Sequence, residues 1–418
     1  MFRQFLTSVR FAIKNLRNNK GRTVLTLVGI VIGIMSVIVV TSSGQGVKNY
    51  ILGQFESFGE DLIQVEIKIP ATSQTSSANA TGQAQGVNIT TLKVADGEAI
   101  SRIPNVAEYA AGSLGQEIAS YRGENKRTLL YGVGANTPNI DRGIKLSEGV
   151  FFSDIEDENL AQVVVIGSDV KETLFGSDDP IGKDIKIKGM NFKVVGVAEK
   201  RGTVTFFNYD ELIYIPVQTL TKKIMGIDYV RYIMVRVKDI NMIDVTAADI
   251  VETMRRQHDI SDPSQDDFAV MTMQEAQKII SDVFGTINIL LLALTSISLL
   301  VGGVGIMNVM YVAVVERTFE IGLRKAVGAR SGDILYQFLL EAIIITLIGG
   351  FLGIVLGYVV AFGFSYVLEL SGFSVSFAVT LNSILIAVGF SMATGIIFGF
   401  YPAWKASKLS PMEALRKE

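Results

Sequence analysis

The 418 residues contain no cysteine, one histidine (His258) and one tryptophan (Trp404). Without thiols there is no disulfide, thiolate metal site or cysteine nucleophile. A zinc site built on His258 would need carboxylate partners that no motif here supplies. No set of residues points to catalysis or to a resident metal, and His258 reads as a surface residue at the end of an outer helix. Charge is missing in a more informative way: residues 23–41, 283–315, 342–368 and 370–404 contain no Asp, Glu, Lys or Arg. Each run reaches the ~20 residues a helix needs to cross hydrocarbon.

What is present sets the topology. Arg3, Arg10, Lys14, Arg17, Lys20 and Arg22 precede the first run with no acidic residue among them. Arg317, Arg324, Lys325 and Arg330 follow the second run, and Lys405, Lys408, Arg416 and Lys417 follow the fourth. Cationic flanks resist translocation, so both termini and residues 316–333 are expected on the cytoplasmic side. Ser371, Gly372, Ser374 and Ser376 make the start of the fourth run polar. The spans are therefore read as 22–43, 273–315, 335–368 and 377–402. A cleaved signal peptide is the alternative for the first, given Thr41, Ser42, Ser43 and Gly44 after it. Its apolar stretch exceeds the ~7–15 residues of a signal h-region, which favours a span.

Residues 44–282 carry 24 basic and 34 acidic side chains, a net charge of −10, so this outer domain is not expected to seek nucleic acid or anionic lipid. A strand at 61–69, a helix at 91–103 and a strand from Val106 recur in kind later, as a strand at 230–237, a helix at 243–257 and a strand at 267–272. These two units predict one split β-α-β subdomain, 44–135 plus 228–275. Short strands at 163–166, 184–187, 192–197 and 212–215 predict a β-rich subdomain over 136–227. Residues 70–91, rich in Ser, Thr, Ala, Gln and Gly, read as a flexible loop. Phe2, Phe5, Leu6, Val9, Ile13 and Leu16 fall at helical spacing and predict an amphipathic cytoplasmic helix over 1–20. The expected class is a membrane α-helical protein of four transmembrane helices with a large extracytoplasmic α+β domain of two subdomains.

No helix breaker separates Met273 from the second span, so one helix of roughly 60 Å is predicted, about twice the hydrocarbon thickness. It must protrude as a stalk. Gly29 and Gly33 in the first span and Gly349, Gly353 and Gly357 in the third allow close helix packing, either within the chain or between subunits. Glu341 lies near the inner end of the third span and is expected to reach headgroup water. Residues 176–184, GSDDPIGKD, superficially evoke a phosphate loop, but the glycine spacing is one residue too long and Asp184 stands where Ser or Thr is required.

The segment 316–330, Glu-Arg-Thr-Phe-Glu-Ile-Gly-Leu-Arg-Lys-Ala-Val-Gly-Ala-Arg, allows Glu320 and Arg324 to pair at i,i+4 along a helix. It resembles the ERTREIGLRKAVGA signature of MacB-type (type VII) ABC transporter permeases, the group that also contains the FtsX and lipoprotein-releasing permeases. Phe319 departs from it, where Arg or Lys is frequent. Residues 19–33 resemble the group's first span and 401–416 its C-terminal signature. Leu174-Phe-Gly, Pro180-Ile-Gly-Lys183 and residues 192–197 resemble its periplasmic domain.

That resemblance implies a permease working by mechanotransmission, in which ATP hydrolysis by a cytoplasmic ATPase moves the outer domain to export a drug, peptide or other amphiphile. It implies that Glu316, Arg317, Glu320, Ile321, Gly322, Leu323, Arg324, Lys325, Gly328 and Ala329 couple to the ATPase. Pro411, Glu413, Ala414, Leu415 and Arg416 of the 403–418 tail would add inner-face contacts. There is no Walker A motif, and about twenty residues precede the first span. A separate ABC ATPase in two copies, holding ATP and Mg, is therefore expected, and no cofactor on this chain. The permease itself is expected as a homodimer or paired with a related permease, among membrane lipids of the bacterial cytoplasmic (inner) membrane. A periplasmic adaptor stays open, as do lipoprotein extraction, regulation of a cell-wall hydrolase without transport, and an ATPase-independent receptor.

Overall fold

In a computed structural model of the chain, residues 20–56, 58–69, 89–204, 207–370, 375 and 377–412 are described. Almost all of the helix expected over 1–20 and of the loop expected over 70–91 lie outside the described residues, as do Glu413, Ala414, Leu415 and Arg416. The chain divides into two units: Ile51–Ile279, and the segment up to Tyr50 together with Ile280–Glu418.

The first helix, α1 (Lys20–Glu56), has 37 residues and no proline. It continues beyond residue 43, where the apolar run ends. Polar residues do not stop a helix, and an interior glycine such as Gly44 costs only about 1 kcal/mol.

The outer unit follows with β1 (Leu62–Ile67), α2 (Val94–Ser101), β2 (Val106–Tyr121), β3 (Glu124–Val133), α3 (Thr137–Ile140) and β4 (Leu146–Gly149). Next come α4 (Asp154–Glu158), β5 (Val163–Ile166), α5 (Ser168–Phe175), β6 (Asp184–Ile187) and β7 (Met190–Ala198). A small hairpin, β8 (Thr203–Val204) and β9 (Phe207–Asn208), precedes β10 (Leu212–Pro216), β11 (Tyr232–Val237), α6 (Ile243–Gln257) and β12 (Phe268–Thr272). Ten of the strands form one sheet in the order β12-β1-β11-β2-β3-β10-β5-β7-β4, with β6 paired to β2 and β7.

The two subdomains expected from sequence share this sheet, because β2 is long enough to serve both. Its start pairs with β11, from Val106 to Gly112, and its remainder with β3 through Tyr121. Ala119 and Ser120 also pair with β6. A two-residue turn, Arg122 and Gly123 with φ of +48° and +99°, closes the β2–β3 hairpin with the twist that antiparallel strands require. On one half of the sheet, α2 and α6 contribute to a core that buries Ile100, Ile233, Val235, Ile250 and Met254. On the other, a core around Ile166, Val170, Phe192, Val194 and Ile213 includes Val170 of α5.

His258 is not a surface residue. It ends α6 with its side chain only 6% exposed, its Nδ1 2.8 Å from Asp267 Oδ1 and its Nε2 3.3 Å from Asp96 Oδ2. The hydrogen bond to Asp267 and the flanking Asp96 carboxylate push its pKa up to about 9, as two carboxylates beside an imidazole do. Asp96 belongs to α2 and Asp267 immediately precedes β12, 171 positions apart in sequence but adjacent to one helix end. Linear spacing carries no trace of that meeting.

The last four helices are α7 (Met273–Glu316), α8 (Thr318–Ala326), α9 (Ser331–Leu370) and α10 (Leu381–Lys408). No loop residue separates β12 from α7. Thr272 makes the switch: its hydroxyl accepts from Glu275 N–H at 3.2 Å, and its own N–H donates to the Glu275 carboxylate at 3.0 Å, a capping box. α7 is 44 residues long, about 66 Å at 1.5 Å per residue.

Within the helical unit the glycines admit neighbouring helices. A Cβ on Gly29 would lie 3.1 Å from the Gly302 backbone, so α1 and α7 cross glycine on glycine. Gly33 faces Leu299, while Gly349, Gly353 and Gly357 of α9 receive Ile30, Ile34 and Ile38 of α1. These contacts are all within the chain. Ser391 of α10 donates to the Thr346 carbonyl of α9, an interhelical bond of the kind that substitutes for hydrophobic attraction in lipid. Outward-facing positions such as Ile289, Val301, Phe351, Phe362 and Ile397 are exposed and apolar.

Candidate functional site

The inner segment breaks helix at Arg317, whose φ of −103° and ψ of 14° separate α7 from α8. The guanidinium there gathers three partners. Its Nε donates to Glu320 Oε2 at 2.9 Å, its Nη1 donates to Glu341 Oε2 at 3.1 Å, and its Cζ lies 5.1 Å from the centre of the Phe338 ring. Glu341 is 1% exposed, so it does not reach headgroup water as expected. A paired charge stabilises a buried carboxylate, and Arg317 supplies one from the break between α7 and α8. Glu320 also bonds Arg324, and Arg324 Nη1 donates to Gln337 Oε1 of α9 at 2.6 Å.

A second tie runs to the end of α10. Lys325 Nζ donates to the carbonyls of Ser407 and Leu409, the latter at 2.8 Å. Ile321 and Gly322 are buried, Ile321 among Ile334, Phe338 and Ala406 in the bundle core. Gly328, at φ +101°, closes α8, and Ala329 N–H returns to the Arg324 carbonyl at 3.0 Å. Only a residue without a side chain takes that backbone readily.

The sequence-derived coupling residues therefore divide into two groups. Arg317, Ile321, Gly322, Arg324 and Lys325 fasten α8 to α9 and α10, with Glu320 bridging Arg317 and Arg324 and Ala329 packed against the same core. Glu316, Leu323 and Gly328 face outward. Pro411 is described, and the remaining tail candidates lie outside the described residues. Reading along the chain alone misplaced Glu341 and missed Phe338 and Gln337, whose role depends on α9 folding back on α8. It named Leu323 but not the exposed row that Phe319, Leu323 and Val327 form, 60%, 51% and 83% exposed. The i, i+4, i+8 spacing of these three was the available signal.

Residues 23–253 match the family described as MacB-like periplasmic core domain, and residues 292–411 match the FtsX-like permease C-terminal family. The chain belongs to the MacB-type ABC permeases. Among the relatives of this MacB-type chain is a macrolide export ATP-binding/permease protein MacB from Bdellovibrio bacteriovorus, 36% identical over 428 residues, covering 100% of this chain and 62% of that protein. Its namesake from Chlorobium luteolum is 38% identical over 418 residues, covering 99% and 60%. The chain thus spans about three fifths of the length of these curated relatives. The crystal structure of the periplasmic region of MacB from Actinobacillus actinomycetemcomitans aligns with 55% of this chain and 97% of its own at a TM-score of 0.46 and 20% identity. The second of the two family matches is to a permease family, and four long apolar helices are found among the described residues. This MacB-type chain is a multi-pass inner-membrane permease.

Proposed function

We propose that the chain exports an amphiphile, such as a macrolide, drug or peptide, by mechanotransmission. An ABC ATPase holding ATP and Mg docks on the inner segment, and α7 carries the motion to the outer domain. The observation behind this reading is the two-faced character of α8. One face presents Phe319, Leu323 and Val327, an apolar row suited to a groove on a partner. The other is fastened to the bundle through Arg317, Arg324 and Lys325. A push on the exposed row is then borne by α7, α9 and α10 together. In this reading the inner segment and both termini are cytoplasmic, two permeases pair over two ATPases, and the cargo is taken from the outer leaflet or periplasm. The macrolide in the relatives' names is the source of that example.

The test is a Phe319→Glu, Leu323→Glu double variant. Both side chains are solvent-accessible, so thermal unfolding of the permease should stay unchanged. ATPase co-purification and stimulation should be lost. Retention of both activities would remove α8 as the docking element.

A further inference from the structure

The outer unit contains a cavity that the transport machinery described above does not use. It has a volume of about 330 Å³ and is lined by sixteen residues, none of them Asp, Glu, Lys, Arg or His. Six are aromatic: Phe55, Phe58, Phe207, Tyr131, Tyr209 and Tyr232. Met234, Met271 and Met273 supply flexible, polarizable wall. We propose that this cavity binds a compact, uncharged, ring-bearing hydrophobe of about the bulk of two fused aromatic rings, the apolar part of a small amphiphile.

Size, lining and rigidity support this occupant. A cavity of roughly 150 Å³ lined by apolar side chains holds benzene, and this one is about twice as large. It falls at the small end of ligand sites, which run from roughly 300 to 1,000 Å³ and are mostly apolar with a few convergent polar groups. Here those groups are Gln64, Thr272 and the tyrosine hydroxyls. Burial holds the phenols neutral, with Tyr209 pushed up to about 12 and Tyr131 and Tyr232 also raised. They can therefore donate hydrogen bonds but offer no charge. An ionised ligand atom placed here would be left without a counter-charge, so any charged part of the ligand must stay outside.

Two of the aromatic walls are braced from behind. The Arg201 guanidinium lies 4.2 Å from the centre of the Tyr209 ring and 5.5 Å from that of Phe58. It is held there by Asp141, which is 2% exposed, through a 2.7 Å ion pair. Tyr131 stacks beside Tyr232 with ring centres 6.4 Å apart and meets Tyr214 edge-on at 5.8 Å. Walls fixed in this way need little reordering on binding, which favours affinity.

The wall also includes Met273 and Ala276, the first turn of α7. A ligand that favours one setting of that turn is favoured by it in return. That the occupant is cargo or an effector of transport rests on the export reading; that the cavity binds it does not.

The experiment uses the full chain in lipid nanodiscs and a naphthyl diazirine as photoprobe, with adducts located by peptide mass spectrometry. No ATPase is present, so the outcome is independent of docking on α8. Saturable adducts are expected on the peptides carrying Tyr232 to Met234 and Met271 to Ala276, and excess 2-naphthol should suppress them. Ala276→Trp should lower this labelling about tenfold by filling the space, whereas Lys278→Trp, exposed on the same helix, should leave it unchanged. If Ala276→Trp does not fold, Leu114→Phe carries the same expectation. Labelling confined to the membrane helices, non-saturable outer labelling, or full labelling of both filled variants would overturn the proposal.

Discussion

Glycine is used differently in the two units, and the contrast shows what holds each together. In the outer unit, Gly123, Gly149 and Gly189 take positive φ at turns and strand ends, while Gly112 and Gly132 lie within strands where a Cβ would meet Tyr232 and Leu220. Gly149, at φ +79°, would drive a Cβ to 2.2 Å from the Val195 carbonyl oxygen. In the helical unit, Gly29 and Gly302 have ordinary helical backbones and are needed for the space they leave. Water makes burial of Ile213 in the sheet and of Ile250 in α6 favourable. Between helices in lipid that drive is absent, so cohesion comes from close backbone approach and from polar ties such as Ser391 to Thr346.

The sharpest way to break the contrast is Gly302→Leu. The nearest atoms to its Cβ are backbone of Gly29 and Ile30, at 3.0 and 3.1 Å, and backbone cannot rotate away. Loss of monodisperse protein is expected on size exclusion. Gly285→Leu, with nothing within 4 Å, should behave as the parent. If both variants purified equally well, close packing at that crossing would not be what assembles the helices.

Removing a polar tie should come next. Arg317→Ala removes a charged partner of the buried Glu341 carboxylate and is expected to cost about 3–5 kcal/mol. Adding Glu341→Leu should recover much of that loss, and a double-mutant cycle on unfolding midpoints measures the coupling. Additive effects would mean that the pair contributes no more than its separate packing.

In the outer unit, Ile250→Ala opens a cavity in a fully buried site and should cost about 2–5 kcal/mol. Faster hydrogen exchange is expected in β11 and β12, with the helical unit unaffected. The smallest effect concerns His258. Its folded pKa of about 9 lies above the usual 6.5, so protonation favours the folded state. That contribution is complete below pH 6.5 and fades as pH rises through about 9. His258→Leu should flatten the stability of the outer unit across this window, and an unchanged slope would show that the imidazole does not carry the pH dependence.

Legibility in the sequence followed the range of the interaction. Residues 163–166, 184–187 and 243–257 are strands and a helix in the structure with the bounds their patterns suggest, since alternation and helical periodicity are local. The hairpin at Arg122 and Gly123 was written in the chain as Tyr-Arg-Gly-Glu, yet β2 was not read to its full 16 residues. Without that length, the single sheet shared by both halves could not be seen. At the inner segment, the pairing of Glu320 with Arg324 was legible from i,i+4 spacing. The burial of Ile321 and Gly322 and the exposure of Val327 were not, because both depend on where α9 and α10 lie.

Uncharged runs and Lys/Arg placement were enough to establish four apolar helices and a large acidic domain between the first two. A charge in hydrocarbon or a cation driven across the membrane is costly wherever the rest of the chain lies, so those rules act residue by residue. Which carboxylates enclose His258, which arginine neutralises Glu341 and which rings surround the outer cavity are questions of another kind. Each brings together residues from distant parts of the chain, and their burial and pairing exist only once the folded backbone has set them side by side.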